Sequence, residues 1–289
     1  DVSFDIYEGE ILGLVGESGC GKTTVGRMTL RLMEPTSGNV YFEDADIFKL
    51  NRKELARFRP KMQIIFQDPY SSLNPRFTVE RIIGEAISVH FHINGKELRA
   101  RVESLMEKVG LSPMYLNRYP HEFSGGQRQR IGIARALALG PSYIVCDEPV
   151  SALDVSIQAQ IINLLQALQE KENLSMLFIS HDLNVVKHLS QRTAVMYLGK
   201  IVELARTEQI NNNSAHPYTQ ALVSAVPEPN LENKLDLSAL MEGKASDPAA
   251  WPQPFTIDGS NTMDLVEFEP GHFVRADPSR AQSITAAAS

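Results

Sequence analysis

A glycine-rich loop constrains the fold of this chain more than any other stretch. The segment GESGCGKT, residues 16–23, fits the pattern G-x-x-x-x-G-K-S/T. It follows the short apolar run EILGLVG (10–16), which predicts a buried strand, and it opens KTTVGRMTLRLM (22–33), whose spacing predicts a helix. Curled backbone N–H groups and a helix N-terminus both attract anions. The order strand, loop, helix therefore predicts a phosphate site; the alternative, a chance glycine-rich turn, does not explain the two flanks.

Two side chains of this loop, those of Lys22 and Thr23, have an expected part in the chemistry. Lys22 is predicted to reach the β- and γ-phosphates of a nucleotide, and the Thr23 hydroxyl to bind Mg²⁺. Cys20 is interpreted as a small side chain that the loop tolerates, with a redox role as the alternative.

Two acids end a second apolar strand, YIVCDEP (143–149). Asp147 is placed to organise the Mg²⁺ shell through water, as the acidic strand partner does in P-loop enzymes. Glu148 follows it, where a carboxylate can polarise an attacking water. The alternative is that both acids only cap the strand in solvent.

Two further polar residues also follow apolar strands. His181 comes after MLFIS (176–180), at a strand end where ligands gather in open α/β sheets. We interpret His181 as a γ-phosphate sensor, with a structural role as the alternative. Gln67 ends MQIIFQ (62–67) and has an amide able to contact water or metal; a role and no role stay equally open for it.

The segment EFSGGQRQR (122–130) is a second glycine-rich helix start. It has no lysine placed for a phosphate and no catalytic group. Taken alone it fits a polar helix start or a basic nucleic-acid patch. Beside an intact phosphate loop it is better explained as half of another site, in which a buried Ser124 offers a hydroxyl and the glycines allow close approach.

Composition restricts the classes of protein. Of 289 residues, 43% are apolar and 22% charged, which is typical of a soluble globular protein. The net charge of −7 makes a nucleic acid a poor candidate for the main partner, and none is predicted. The two cysteines form no disulfide framework. The longest apolar runs are far shorter than the roughly 20 residues of a membrane span.

Strands alternating with helices predict an α/β fold with a mostly parallel sheet. Residues 71–140 are predicted as an inserted helical subdomain between core segments 1–70 and 141–215, and TAVMYLGKIVE (193–203) as an antiparallel edge hairpin. The first domain is expected to span 1–230. Residues 231–289 are expected to be a partly irregular appendage whose last dozen residues are disordered.

Together these motifs carry a family resemblance. GESGCGKT, Gln67, FSGGQRQR, CDEPVSALD and SHD occur in the order and approximate spacing of the ATP-binding subunits of ABC transporters. The resemblance covers roughly residues 1–230 and implies the P-loop fold of an ABC-type ATPase. QDPYSSLNPRFTV (67–79), SIQAQIINLLQALQ (156–169) and HPYTQALVSAVPEP (216–229) are similar to the oligopeptide/dipeptide and nickel importer subfamily.

The resemblance implies a role for each matching position. Asp147 resembles the Mg²⁺-organising acid and Glu148 the general base, while His181 resembles the switch histidine. Gln67 resembles the lid glutamine that links the metal to the membrane subunits. The nucleotide-binding residues it implies are Gly16, Glu17, Ser18, Gly19, Cys20, Gly21, Lys22, Thr23 and Thr24, with Ser124, Gly125, Gly126 and Gln127 of the signature and Asp154 of the SALD loop reaching the opposite subunit.

What the resemblance implies for function is ATP hydrolysis, with Mg²⁺, that energises uptake of peptides or a related small solute. Two ATPase subunits, alike or different, are expected face to face with two composite ATP sites. Membrane permease subunits are the expected partners, with a solute-binding protein acting indirectly, at the cytoplasmic face of the bacterial plasma membrane. The alternatives are a soluble ABC-type ATPase acting on ribosomes or DNA and a non-hydrolysing regulatory module.

Two departures from the family pattern lead to further expectations. The stretch DVSFDIYEGE (1–10) is interpreted as the middle of a strand pair, so that a natural N-terminus and its adenine-stacking aromatic would precede Asp1 and the base would be held poorly. The tail segment LMEGKASDPAAWPQPF lacks the cysteines that many peptide-importer subunits carry. No iron–sulfur cluster is therefore expected.

Overall fold

The structure of the chain, a computed structural model, describes residues 2–225, 247–257 and 263–280. It divides into two compact units. Unit 1 takes in the described parts of residues 1–5, 11–22 and 180–289, and unit 2 takes in residues 6–10 and 23–179. The boundary predicted at residue 230 lies outside the described residues and stays a prediction. The predicted disorder of the last dozen residues, 278–289, also stays a prediction; of these the structure describes Pro278–Arg280, which form a short 3-10 helix.

Strands and helices alternate along most of the chain. The strands are β1 Ile11–Val15, β2 Tyr41–Phe42, β3 Ala45–Asp46, β4 Met62–Ile65, β5 Tyr143–Asp147, β6 Ser175–Ser180, β7 Arg192–Tyr197, β8 Lys200–Arg206, β9 Asp264–Glu269 and β10 His272–Ala276. The helices are α1 Lys22–Thr29, α2 Arg52–Phe58, α3 Val79–Phe91, α4 Gly95–Lys108, α5 Gly125–Leu137, α6 Val155–Glu172, α7 Leu183–Lys187, α8 Thr207–Asn212 and α9 Pro217–Ser224. By the division above, α1 and β6 each cross the unit boundary by one residue.

The centre of unit 2 is a parallel arrangement of β4, β5 and β6. Ile64 lies opposite Val145, and Val145 lies opposite Leu177. All five residues of β5 are buried. Unbroken burial is what a parallel strand covered on both faces requires, which explains why these strands appear in the sequence as continuous apolar runs.

The predicted helical block of unit 2 contains α3, α4 and α5. Apolar side chains recur every three or four residues on α3, where Val79, Ile83 and Ile87 are buried. On α4 the buried residues are Val102 and Met106. The buried apolar residues of α3 form the face with which this helix packs against α4 and α5.

Unit 1 combines one parallel pair with an antiparallel edge. β1 runs parallel to β7, with Leu14 opposite Ala194. β7 and β8 form the predicted hairpin, and β10 pairs antiparallel with both β8 and β9. The predicted fold class, a mostly parallel α/β core with inserted helices and an antiparallel edge, is confirmed. The β9–β10 hairpin lies in the segment expected to be partly irregular and was missed.

The strand expected within residues 1–10 is not found in the described residues 2–10. A turn takes its place. The backbone N–H of Glu10 donates to the Tyr7 carbonyl (3.1 Å), and the Tyr7 N–H donates to the Glu10 carboxylate (2.8 Å). These two reciprocal bonds close a turn over residues 7–10.

Candidate nucleotide site

The phosphate loop of unit 1 is closed around the head group of Lys22. This lysine is only 4% exposed, and its Nζ donates to the carbonyls of Gly16 (2.7 Å) and Glu17 (2.8 Å). A buried ammonium needs such partners, because removing an unpaired charge from water is costly. The loop is therefore held in a curled shape by its own lysine.

The β7–β8 hairpin supports the loop from the other side. A Cβ on Gly16 would overlap the Met196 carbonyl oxygen, so glycine alone fits there. The Gly199 N–H donates to the Cys20 carbonyl (2.9 Å), and the buried Cys20 sulfur lies 3.8 Å from Lys22 Nζ. In contrast, Glu17, Ser18 and Gly19 form the exposed rim of the loop.

In unit 2 the structure brings Thr23 and Asp147 together. Thr23 lies in the first turn of α1, and its hydroxyl donates to Asp147 Oδ1 at 2.7 Å. Asp147 ends β5 and is 2% exposed. A hydroxyl and a carboxylate are oxygen ligands of the kind Mg²⁺ prefers, so this pair fits the predicted metal. Thr24, the last residue of the predicted loop, is exposed on the same helix.

The structure also brings Gln67 and Glu148 together in unit 2. Gln67 follows β4, and its Nε2 donates to Glu148 Oε2 at 3.1 Å. Glu148 is half-buried, its N–H donates to the Ile179 carbonyl (3.1 Å), and its backbone is left-handed with φ 46°. Residues other than glycine rarely adopt this backbone conformation, and those that do are concentrated at functional sites.

The second glycine segment begins α5 as a capped helix. The Ser124 hydroxyl accepts from the Gln127 N–H (3.3 Å), and the Gln127 side chain accepts from the Ser124 N–H (3.0 Å). This reciprocal pair is a capping box, which satisfies two N–H groups of the first turn. Ser124 is exposed, so the expected burial of this serine is wrong for the single chain; as the residue before the helix it lies at the open end of α5.

Within unit 2, Gly125 lies close to the SALD loop and Gly126 lies close to the first turn of α6. A Cβ on Gly125 would lie 3.3 Å from the Leu153 side chain, and one on Gly126 would lie 2.5 Å from Ile157. Asp154, exposed and extended (φ −63°, ψ 149°), immediately precedes α6. The predicted signature and the predicted SALD loop are thus neighbours.

Gln158 holds the SALD loop and was not identified from the sequence. Its side-chain amide donates to the carbonyls of Val150 (3.1 Å) and Leu153 (3.0 Å). A single glutamine one turn into a helix carries no distinctive pattern, so the sequence offered no signal for this role.

His181 lies in unit 1, exposed and directly after β6, as its predicted position at a strand end requires. The next residue starts α7, because Asp182 Oδ1 accepts from the Asn184 N–H at 2.8 Å. Anchoring of Asp182 fixes the backbone next to the histidine.

A second residue, Tyr218 in unit 1, was also missed. The Tyr218 hydroxyl accepts from the Glu17 N–H of the phosphate loop at 3.1 Å. The two residues are separated by 201 positions, so no local pattern connects them.

The pKa values of two titratable groups next to the predicted site are shifted by their surroundings. Burial raises the pKa of the Cys146 thiol, which keeps this neighbour of Asp147 protonated and inert. The Tyr70 N–H, at 2.8 Å from Asp68 Oδ1, lowers the pKa of the Asp68 carboxyl. This bond also fixes the turn that follows Gln67.

Comparison with known proteins identifies the class. The family model described as ABC transporter matches residues 1–151, and the chain belongs to this family. A second model, the oligopeptide/dipeptide transporter C-terminal region, matches residues 202–253. The family prediction made from the motifs is confirmed.

Individual relatives are similar over nearly the whole chain. The oligopeptide transport ATP-binding protein OppF of Bacillus subtilis (strain 168) is 52% identical, over 95% of this chain and 88% of the relative. OppF of Streptococcus mutans is 51% identical, over 98% and 89%. A putative peptide import ATP-binding protein of Brucella ovis is 50% identical, over 94% and 89%.

Solved structures agree on the fold. The dimeric post-hydrolysis state of the ATP-binding cassette MJ0796, bound to ADP and Pi, has a TM-score of 0.66 and is 30% identical, over 72% of this chain and 89% of that chain. The structure of cbiO1 from Clostridium perfringens, part of the ABC transporter complex cbiONQ, has a TM-score of 0.67 over 83% of this chain and 90% of that chain; at 24% identity it supports the fold alone. Among the described residues, no helix has the length and apolarity to cross a membrane.

Proposed function

We propose that this chain is the ATP-hydrolysing subunit of an importer for peptides or a related small solute. The observation that carries the proposal is the arrangement in unit 2, where Thr23 is bonded to Asp147 and Gln67 to Glu148. It supplies oxygen ligands for a metal next to a held carboxylate. Both are needed to hydrolyse a nucleotide.

The loop and the metal ligands bind and orient ATP. Lys22 and the N–H groups of residues 16–24 neutralise phosphate charge at the start of α1. Thr23, Asp147 and Gln67 would hold Mg²⁺, directly or through water. When bound, Mg²⁺ supplies charge neutralisation on the transferring phosphoryl group.

Glu148 is the residue we assign to the attacking water. Its carboxylate accepts a proton from the water, and the Gln67 amide at 3.1 Å restricts where the carboxylate points. His181, at the end of β6, is proposed to sense the γ-phosphate. These roles rest on residue type and position together with the contacts described above.

A composite site explains the second glycine segment. Ser124 is exposed at the start of α5, where its hydroxyl and the helix N-terminus can meet a phosphate carried by another subunit. The part of this chain that would complete the partner's nucleotide site also includes Gly125, Gly126, Gln127 and Asp154. The solved dimer of MJ0796 supports pairing of two such subunits, alike or different.

The relatives' names support peptides as the cargo class, and the matched C-terminal region supports the importer subfamily. On this proposal the chain acts at the cytoplasmic face of the plasma membrane, bound to permease subunits. A solute-binding protein would act on it only through those subunits.

Purification through a tag on this chain from native membranes tests the proposal. We expect membrane permease subunits to copurify, and ATPase activity in proteoliposomes to rise when peptide-loaded binding protein is added. An ATPase rate that does not change when the permease is present, or one that RNA or DNA stimulates instead, would refute the proposal.

A further inference from the structure

The contact between Tyr218 and the phosphate loop joins two parts of unit 1 that the family models treat separately. Glu17 belongs to the ABC transporter match and Tyr218 to the C-terminal region match. The Tyr218 hydroxyl accepts from the Glu17 N–H at 3.1 Å, while the Glu17 carbonyl accepts from Lys22 Nζ at 2.8 Å. Both polar backbone groups of Glu17 are therefore fixed.

Tyr218 is itself rigidly placed. It is 1% exposed, and its ring centroid lies 4.5 Å from that of Tyr197 on β7. Its N–H donates to Nδ1 of His216 at 3.2 Å. Burial raises the pKa of the Tyr218 hydroxyl, so the oxygen that meets Glu17 belongs to a neutral phenol.

The start of α9 is anchored in turn on β8. The buried Glu203 carboxylate accepts from the N–H groups of Ala215 (2.7 Å) and His216 (3.1 Å), and its Oε1 lies 2.7 Å from Nε2 of His272 on β10. A carboxylate with these partners fixes the backbone that carries Tyr218. The antiparallel edge of unit 1 thus determines where the hydroxyl lies.

We propose that Tyr218 is a positioning residue for the phosphate loop: the C-terminal region holds the Glu17 peptide so that the loop keeps its nucleotide-binding shape before the nucleotide arrives. This inference rests on the proposed binding of ATP. Without the hydroxyl, the loop would populate other shapes, and apparent affinity falls in proportion to the competent fraction. One buried hydrogen bond limits the loss to about fivefold to tenfold.

The test compares Tyr218→Phe with Tyr143→Phe in the protein, with all other residues unchanged. Tyr143 is also buried, and its hydroxyl is paired with a threonine hydroxyl, that of Thr29, at 3.0 Å. Both substitutions therefore remove one buried tyrosine hydroxyl and are expected to lower thermal stability to a similar extent, but only Tyr218 contacts the phosphate loop. MgADP binding is measured by calorimetry, and exchange of the Glu17 amide by hydrogen–deuterium exchange.

Tyr218→Phe is expected to weaken MgADP binding about fivefold to tenfold and to speed exchange of the Glu17 amide, with Tyr143→Phe like the wild type in both. Equal affinity and equal Glu17 exchange in folded Tyr218→Phe and wild type would overturn the inference. A different outcome would overturn the proposed function on which the inference rests. In that outcome the wild type does not bind MgADP, although its Glu17 amide exchanges more slowly than that of Tyr218→Phe.

Discussion

The side-chain amide of Gln67 donates a hydrogen bond to the carboxylate of Glu148 across 3.1 Å. The two residues are 81 positions apart in the sequence and follow the neighbouring strands β4 and β5. Because parallel strands end at the same edge of a sheet, two polar residues that follow them meet without any local signal. The pair links the loop after β4 to the proposed base.

Replacing Gln67 should impair hydrolysis without unfolding the chain. Gln67 is exposed, so Gln67→Leu is expected to change the free energy of unfolding by no more than about 0.5 kcal/mol. Losing the orienting amide should lower the ATPase rate between about tenfold and a hundredfold. Steady-state phosphate release measures it. Gln63→Leu, on β4 with its amide bonded to the Arg59 carbonyl, is the matched control; an equal loss of rate in both variants would contradict the role of Gln67.

Glu148→Gly should separate stability from activity. The left-handed backbone at φ 46° is sterically unfavourable for glutamate but not for glycine. Relief of this strain outweighs the larger loss of backbone entropy at a glycine, so the variant is expected to gain up to about 1 kcal/mol in the free energy of unfolding. Its ATPase activity should be lost with the carboxylate. Urea denaturation checks the first statement. Destabilisation of the variant by more than about 1 kcal/mol would show that the side chain stabilises this backbone.

Gly126→Ala should strain the start of α5. The added methyl would lie 2.5 Å from Ile157 Cγ2, so we expect destabilisation by about 1–3 kcal/mol. Gly125→Ala, with 3.3 Å to Leu153, should cost less. Removing the obstacle with Ile157→Ala should make Gly126→Ala less costly in a double-mutant cycle measured by denaturation. Purely additive effects would argue against this contact.

His216 should make stability depend on pH. Burial, and to a smaller extent the positive charge of Arg275, lowers the pKa of His216 from 6.5 to about 3. Between these two pKa values His216 is protonated in the unfolded chain and neutral in the folded chain. The free energy of unfolding is therefore highest above pH 6.5 and decreases as the pH falls toward 3. The loss from this residue approaches about 1.4 kcal/mol per pH unit.

The comparison with His216→Asn isolates this effect. Asparagine keeps an acceptor for the Tyr218 N–H but does not titrate. As the pH is lowered from 6.5 to 4, the midpoint of urea unfolding of His216→Asn should therefore fall less steeply than that of the wild type. Identical slopes for both proteins would show that another group carries the pH dependence.

Much of the fold followed from local patterns, because buried parallel strands are continuous apolar runs and the phosphate loop has fixed spacing. Helix α2 was missed since none of its residues is buried, although Asn51 and Glu54 form a capping box at its start. The contacts of the site were beyond local reasoning: the Thr23–Asp147 bond spans 124 positions and the Glu17–Tyr218 bond 201. Residue types indicated which side chains to expect at the candidate site, and tertiary packing decided which of them meet.

Single-turnover hydrolysis by Glu148→Gln, in the complex purified from native membranes, tests the proposed chemistry most directly. The variant keeps the size of the side chain and removes the proton acceptor. We expect ATP to bind as in the wild type and the rate of phosphate formation to fall by about a hundredfold or more, with Glu170→Gln on the exposed face of α6 unchanged. Hydrolysis by Glu148→Gln at the wild-type rate would contradict the assignment of Glu148 as the base.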